Sequence, residues 1–212
     1  MAGVLFLVSG ASGVGKSTVR EHLTPRLGSA FTTVELRDLA SIETICMRWR
    51  QETAEVAAAR AAVLSARGQH LLLSGDPVAP AELIAAPSAS RAGGVAVCLL
   101  DASPEAQTSR LTGRGDDPTL LDAHLGFSQW MREHARNPLP RLEVLTQDDP
   151  APRARWERVT GLVERGQWHV HVVDTSERRP EDVANAVEAW IERALSDEEL
   201  VMHPSGDHLT RR

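Results

Sequence analysis

The segment Gly10–Ser17 reads Gly-Ala-Ser-Gly-Val-Gly-Lys-Ser and constrains the fold of this chain more than any other feature. It follows the apolar run of residues 4–8, which is typical of a buried parallel strand, and it precedes a helical pattern from Lys16 to about Leu27. The pattern GxxxxGK[ST] between a strand and a helix is the signature of a phosphate-binding loop. The sequence therefore predicts a nucleotide triphosphate site directly after the first strand.

Each part of this loop has an expected role. We expect the loop amides and the helix N-terminus to face the phosphates, Lys16 to reach the β- and γ-phosphates, and Ser17 to ligate Mg²⁺. Lys16 is also the one lysine among 23 lysines and arginines, the others all being arginine. The residues expected to contact the nucleotide here are Gly10, Ala11, Ser12, Gly13, Val14, Gly15, Lys16, Ser17 and Thr18.

The rest of the chain alternates strand and helix patterns. Further strands are predicted at residues 32–36, 70–73, 95–100 and 170–173, and helices at residues 42–67, 104–113, 120–136 and 180–195. This alternation predicts an α/β fold: a single P-loop domain, at residues 1–195, whose parallel, five-stranded sheet is flanked by helices. A short lid is expected at about residues 113–123, and a polar, flexible tail at residues 196–212.

Composition excludes several classes of protein. The 212 residues carry a formal net charge of −6, which gives no basic surface for nucleic acid or anionic membrane. No apolar run approaches the 18 residues of a membrane span, and no signal-peptide pattern is present. Cys46 and Cys98 stand far apart, so no disulfide framework or zinc site is indicated. We expect a cytoplasmic monomer or homodimer without nucleic-acid or membrane partners.

Other classes of P-loop protein fit less well. A common GTPase needs an [NT]KxD motif, and no second lysine is present to supply it. An ABC-type ATPase would show an LSGGQ-like stretch, which is absent, and an AAA-type ATPase would carry Asp-Glu where this chain has Asp101-Ala102.

Three features beyond the loop indicate a different class of P-loop protein. They are Asp38 after the second strand, the pair Arg110 and Arg114 one helical turn apart, and Asp174-Thr175-Ser176 after the last strand. In their order and spacing the chain resembles the nucleoside-monophosphate-kinase-like group of P-loop small-molecule kinases over about residues 3–195. This group includes adenylate, shikimate and gluconate kinases and chloramphenicol phosphotransferase. The resemblance implies an ATP- and Mg²⁺-dependent phosphotransferase with a small-molecule phosphoryl acceptor.

The resemblance also assigns roles near the acceptor. It makes Asp38 the carboxylate that receives the proton of an acceptor hydroxyl, with Glu35 and Asp76 as rivals. Gly75 and Asp76 follow the third strand, where the family contacts substrate or metal, so Asp76 joins Ser17 as an expected magnesium ligand. An acceptor that is a nucleoside monophosphate would instead need arginines.

On the nucleotide side, the resemblance makes Arg110 and Arg114 the pair that clamps the nucleotide and neutralises charge on the transferred group. Gly113 and Gly115 are expected to act as hinges of the lid, and Thr175 and Ser176 to lie along the adenine.

The helix after the lid offers further acceptor contacts. Arg132 and Arg136 share one helical face and are expected to bind phosphate, while Trp130 is expected to stack on an acceptor ring unless it packs in the core. Three functions stay open at this point: a hydroxyl kinase, a nucleoside monophosphate kinase, and a nucleotide-binding regulatory protein with weak ATPase activity.

Overall fold

Five apolar runs of the chain pair side by side in the computed structural model, which describes residues 2–39, 46–75, 78–146 and 154–205. Within these residues the strands form one sheet in the order β2–β3–β1–β4–β5, and every pairing is parallel. The strands are β1 Leu5–Ser9, β2 Phe31–Glu35, β3 His70–Ser74, β4 Val95–Asp101 and β5 Val170–Asp174. The predicted α/β class and parallel sheet are confirmed.

Helices connect the strands, as parallel pairing requires. They are α1 Lys16–Leu23, α2 Met47–Ser65, α3 Pro80–Ala85, α4 Pro104–Arg114, α5 Leu121–Arg136, α6 Glu143–Thr146, α7 Glu157–Glu164 and α8 Pro180–Ser196. Helix α1 ends four residues before the predicted Leu27, because Pro25 has no amide hydrogen to continue the helix. The predicted start of α2 at residue 42 lies outside the described residues.

The sheet separates two apolar cores. Leu5 and Leu7 of β1 face the core that holds α2, α3, α5 and α7, whereas Phe6 and Val8 face the core under α1 and α8. On α8 the predicted apolar face is buried, with Trp190 at 1% exposure and its ring edge against Phe6. Burial on both faces explains why β1 is apolar throughout.

The carboxyl ends of the strands meet at one edge of the sheet. Glu35 pairs with Ser74 in register, and Asp101 pairs with Asp174. Strand β1 lies between β3 and β4, so the loop that follows Ser9 emerges at the centre of this edge. Ligands of open parallel sheets bind at this edge.

The C-terminal segment differs from the expected flexible tail. Residues 196–205 pack on the fold, because Val201 and Met202 are apolar and buried, with exposures of 7% and 0%. Met202 forms an antiparallel bridge with Val95, with both N–H···O distances at 2.8 Å. The predicted lid region contains the turn after α4 and a short 3₁₀ turn, Pro118–Leu120. Among the described residues, no helix has the length and apolarity needed to cross a membrane.

Candidate functional site

The Gly10–Ser17 loop connects β1 to α1, and glycine is required at two of its positions. Gly10 has φ 145°, and a Cβ there would lie 2.5 Å from the carbonyl oxygen of Leu100. Gly15 has φ 97° at the position that caps α1. A side chain at Gly10 would collide with backbone, and one at Gly15 would strain the turn into the helix. Glycine is therefore required at Gly10 by close packing and at Gly15 by backbone conformation.

The first turn of α1 follows directly on the loop. The first helical bond runs from the Val19 amide to the Gly15 carbonyl at 2.9 Å, so within the described residues the amides of Ser17 and Thr18 have no helical acceptor. Lys16 is buried and its Nζ donates to the Ala11 carbonyl at 2.7 Å, whereas Ser17 is exposed. Free amides at a helix N-terminus fit a phosphate, and the open Ser17 hydroxyl fits Mg²⁺.

A cavity of about 740 Å³ lies against this loop, and we call it the loop cavity. Its described lining comprises residues 12–19, Arg37, Gly75, Arg110, Arg114, Asp116, Thr175, Arg178, Pro180 and Val183. Of these, five side chains are cationic, namely Lys16, Arg37, Arg110, Arg114 and Arg178, and Asp116 is the single carboxylate among the described lining residues. A cationic cavity in a chain of net charge −6 is suited to a polyanion.

Arg110 joins the two sides of the loop cavity. Its Nη1 donates to Thr175 Oγ1 at 2.9 Å and to the Gly13 carbonyl at 3.5 Å. Its Nη2 donates to the carbonyls of Thr175 and of Ser176, the latter at 3.2 Å. Arg110 therefore braces the loop against the end of β5, and three of the predicted nucleotide residues, Arg110, Thr175 and Ser176, lie together.

Arg114 is held differently, although it is only one turn away. Helix α4 ends in a left-handed Gly115 at φ 81°, with the amides of Gly115 and Asp116 bonded back to Thr112 and Leu111. This turn places Asp116 beside Arg114, with Nε–Oδ1 at 2.7 Å and Nη2–Oδ2 at 2.5 Å. The hydrogen bonds from Arg114 lower the pKa of Asp116. Arg114 remains 58% exposed, so its outer edge is open to a ligand.

The end of β2 brings an arginine, and not the expected aspartate, to the cavity. A 3₁₀ turn at Leu36–Asp38 follows the strand, and within it Arg37 lines the cavity while Asp38 is exposed outside the lining. Glu35 forms an ion pair with Arg20, with 3.4 Å between Oε1 of Glu35 and Nη2 of Arg20. Gly75 is in the lining, and Asp76 lies outside the described residues.

The other predicted acceptor residues lie away from the loop cavity. Arg132 donates to both carboxylate oxygens of Asp101 at 2.9 and 2.7 Å, which ties α5 to the end of β4. Trp130 is 6% exposed and stacked between Phe127 and His134, at centroid distances of 5.5 and 4.8 Å. Both faces of its ring are covered, so a ligand can reach only its edge. Arg136 is exposed beside a separate, smaller cavity.

Three charged residues of the loop cavity were not predicted from the sequence. Arg37 lies where Asp38 was expected, Asp116 belongs to a surface-like Gly-Asp-Asp turn, and Arg178 belongs to an Arg-Arg pair before α8. The folded turns, and not the sequence pattern, place these side chains in the wall of the loop cavity. Within the described residues, no group of three or more His, Cys, Asp or Glu side chains is arranged to hold a metal ion.

No protein-family model matches the sequence, and no curated protein matches it. The fold is similar to the crystal structure of an unliganded sugar kinase from Janibacter sp., with a TM-score of 0.58 and 14% identity over 92% of this chain and 98% of that one. The chain also aligns, over 90% of its length and 85% of the other chain, with a structure of the Pnkp1/Rnl/Hen1 RNA repair complex at a TM-score of 0.48 and 13% identity. At these identities the likeness concerns the fold.

Proposed function

We propose that this chain is an ATP- and Mg²⁺-dependent phosphotransferase that moves the γ-phosphate to a hydroxyl of a small molecule. The observation that carries the proposal is the loop cavity, where the GxxxxGKS loop, the N-terminus of α1 and five cationic side chains converge. Phosphoryl transfer needs positioning and charge stabilisation more than covalent chemistry, and this cavity offers both.

The side chains divide the work. Loop amides and Lys16 would hold the phosphates once Lys16 leaves the Ala11 carbonyl. Arg110 would keep the loop and the Thr175 segment in place around the nucleotide, and Arg114 would neutralise charge on the transferred group. Ser17 would ligate Mg²⁺, with Asp76 as its proposed partner, and the ion would neutralise the phosphate oxygens.

A screen for acceptors tests the proposal. ADP release from Mg-ATP is measured with nucleoside monophosphates, sugars, sugar acids and hydroxylated antibiotics, with Lys16→Ala as the inactive control. We expect ADP release that depends on one acceptor class and is lost in the variant. ATP binding with slow, acceptor-independent hydrolysis would replace the proposal with a nucleotide-binding regulatory protein, and absence of ATP binding would refute both.

The position of Arg37 in the wall of the loop cavity favours a second candidate function, that of a nucleoside monophosphate kinase. Such an acceptor brings its own nucleophile and needs a cation, which Arg37 provides where a base was expected. Two variants of adjacent residues separate the candidates. For a hydroxyl acceptor, Asp38→Asn should lower kcat by about 10²-fold or more, since a general base is removed. For a monophosphate, Arg37→Gln should raise the acceptor KM while Asp38→Asn stays active.

A further inference from the structure

A second cavity, of about 510 Å³, lies between α2, α5 and the chain around α6. We call it the Arg50–Arg141 cavity, after the two arginines in its wall. Its apolar wall includes Phe127, Trp130, Val144 and Leu145. No residue of this wall is shared with the described lining of the loop cavity. The fold thus provides a second concave site with its own chemistry.

Arg50 is fixed in this wall by a buried carboxylate. Its Nε lies 3.4 Å from Oε1 of Glu82, whose side chain is 1% exposed. The other carboxylate oxygen of Glu82 accepts the Ala79 amide at 2.8 Å. Burial raises the pKa of Glu82, and the guanidinium of Arg50 opposes that rise. Among the described residues, the guanidinium of Arg50 contacts Glu82 through Nε, which leaves its two terminal amino groups for a ligand.

Arg141 adds a second charge to the same wall. It is exposed, and within the described residues it makes no hydrogen bond or ion pair. None of the described lining residues of this cavity is acidic. With no carboxylate among the described lining residues, the two arginines leave donors for an anion, and the planar guanidinium suits carboxylate and phosphate.

The remaining wall sets the shape of the ligand. Phe127 and the edge of Trp130 form one apolar side, and Val144 and Leu145 form another. Gly126 also lines the cavity, and a Cβ built on it would meet no atom within 4 Å. The space beside α5 is therefore open and apolar, which suits a ring or short hydrocarbon.

A chain of hydrogen bonds links this cavity to the phosphate loop. Ser128, next to Phe127 on α5, donates to Oε1 of the buried Gln107 at 2.7 Å. The amide of Gln107 donates in turn to the Ser12 carbonyl at 2.8 Å. On the opposite side, Ser9 Oγ donates to the Val78 carbonyl, one residue before the Ala79 amide that Glu82 caps. Both walls of the cavity are thus tied to the strand and loop that carry Lys16.

We propose that the Arg50–Arg141 cavity is a binding site for a small organic anion, a carboxylate or phosphate ester on an apolar body. The site stands on the wall geometry alone and does not depend on the proposed function.

Benzoate and its neutral counterpart benzamide are the probes for the site. Binding is followed by the indole N–H signal of Trp130, assigned with Trp130→Phe, while Trp190 in the opposite core is the internal reference. We expect benzoate to move the Trp130 signal and benzamide to bind more weakly. Arg141→Gln should weaken benzoate about tenfold, as for the loss of one charge-assisted hydrogen bond. The control Arg60→Gln removes an exposed arginine of α2 and should change nothing.

A second variant tests the cavity without changing charge. Gly126→Leu should fill the open space and abolish benzoate binding in a folded protein, since its Cβ meets no atom. Equal binding of benzoate and benzamide, equal effects of Arg141→Gln and Arg60→Gln, or an unmoved Trp130 signal would overturn the site.

Discussion

The loop cavity and the Arg50–Arg141 cavity are built in opposite ways. The loop cavity takes eight of its lining residues from one continuous segment, residues 12–19, whose backbone conformation is set by glycines. The Arg50–Arg141 cavity is assembled from side chains of three separate segments, and its charge is oriented by the buried Glu82. A site formed by one segment leaves a motif in the sequence, whereas a site formed by tertiary packing leaves only scattered residues.

The largest effect is expected at Lys16, which belongs only to the loop cavity. Lys16→Ala should lower acceptor-dependent ADP release by about 10³-fold, because the variant removes a cation aimed at the transferred phosphate. Arg60→Ala, on the surface of α2, is the matched control and should retain full activity. Benzoate binding should also survive in Lys16→Ala. If a folded Lys16→Ala protein kept near wild-type turnover, the kinase proposal would be wrong.

The next largest effect distinguishes the roles of Arg110 and Arg114, the two arginines of α4. Arg114→Ala should lower kcat by about 10²-fold with little change in the KM for ATP. Arg114 is paired with Asp116 and keeps an exposed edge, so under the proposed function it acts on the charge of the transferred group. Arg110→Ala should chiefly raise the KM for ATP, because Arg110 braces Gly13 against Thr175. Steady-state kinetics on both variants measure this. Equal losses of kcat in both would refute the division of roles.

A smaller effect is expected at Gln107, which connects the two cavities. Gln107→Met keeps the size of the side chain and leaves the Ser128 hydroxyl and the Ser12 carbonyl without their partners. The free energy of unfolding should fall by about 2 kcal/mol, measured by urea denaturation. Gln129→Met, on the exposed side of α5, is the control. If the free energy of unfolding fell no more than in that control, the hydrogen bonds of Gln107 would not stabilise the fold.

The smallest effect concerns pH and the buried His134 of α5, which lines the small cavity beside Arg136. Burial lowers the pKa of His134 to about 4, so the folded protein holds this imidazole neutral where the unfolded chain takes up a proton. Stability from this residue is therefore complete above about pH 6.5 and is lost as the pH falls toward 4. Between pH 7 and pH 5 the folded state should lose between about 1 and 2 kcal/mol from this residue.

Urea denaturation at both pH values measures this loss. In His134→Gln the loss should shrink, since glutamine still accepts from the Ala81 amide and does not titrate. The control His169→Gln changes an exposed histidine and should keep the wild-type dependence. An unchanged pH dependence in His134→Gln would exclude this residue as the cause.

The fold was predictable because its signals are local. Apolar runs such as Val95–Leu100 became strands within one residue of the predicted ends, and helix α4 begins at the predicted residue 104, where Ser103 accepts the Ala106 amide at 3.2 Å. The exception is the C-terminal segment, where two apolar residues, Val201 and Met202, were outweighed by polar neighbours in the sequence.

The site was less predictable wherever the direction of a side chain decides the outcome. Arg37 and Asp38 are adjacent, and only the 3₁₀ turn determines that the arginine lines the cavity. Trp130 fits a ligand-stacking residue in sequence, yet its ring faces are covered by Phe127 and His134. Spacing along a chain does not reveal which neighbour occupies a surface, so these assignments needed the packed structure.

The cationic wall of the loop cavity should also affect the rate at which an anionic ligand binds. A protein with a net charge of −6 repels nucleotide anions at long range, whereas Arg37, Arg114 and Arg178 attract them near the entrance. Opposed long- and short-range fields make the capture rate depend on ionic strength, because salt screens charges beyond a Debye length of about 8 Å in physiological salt. Moderate salt should remove the distant repulsion first and leave the local attraction, so capture of ATP would be fastest at intermediate ionic strength.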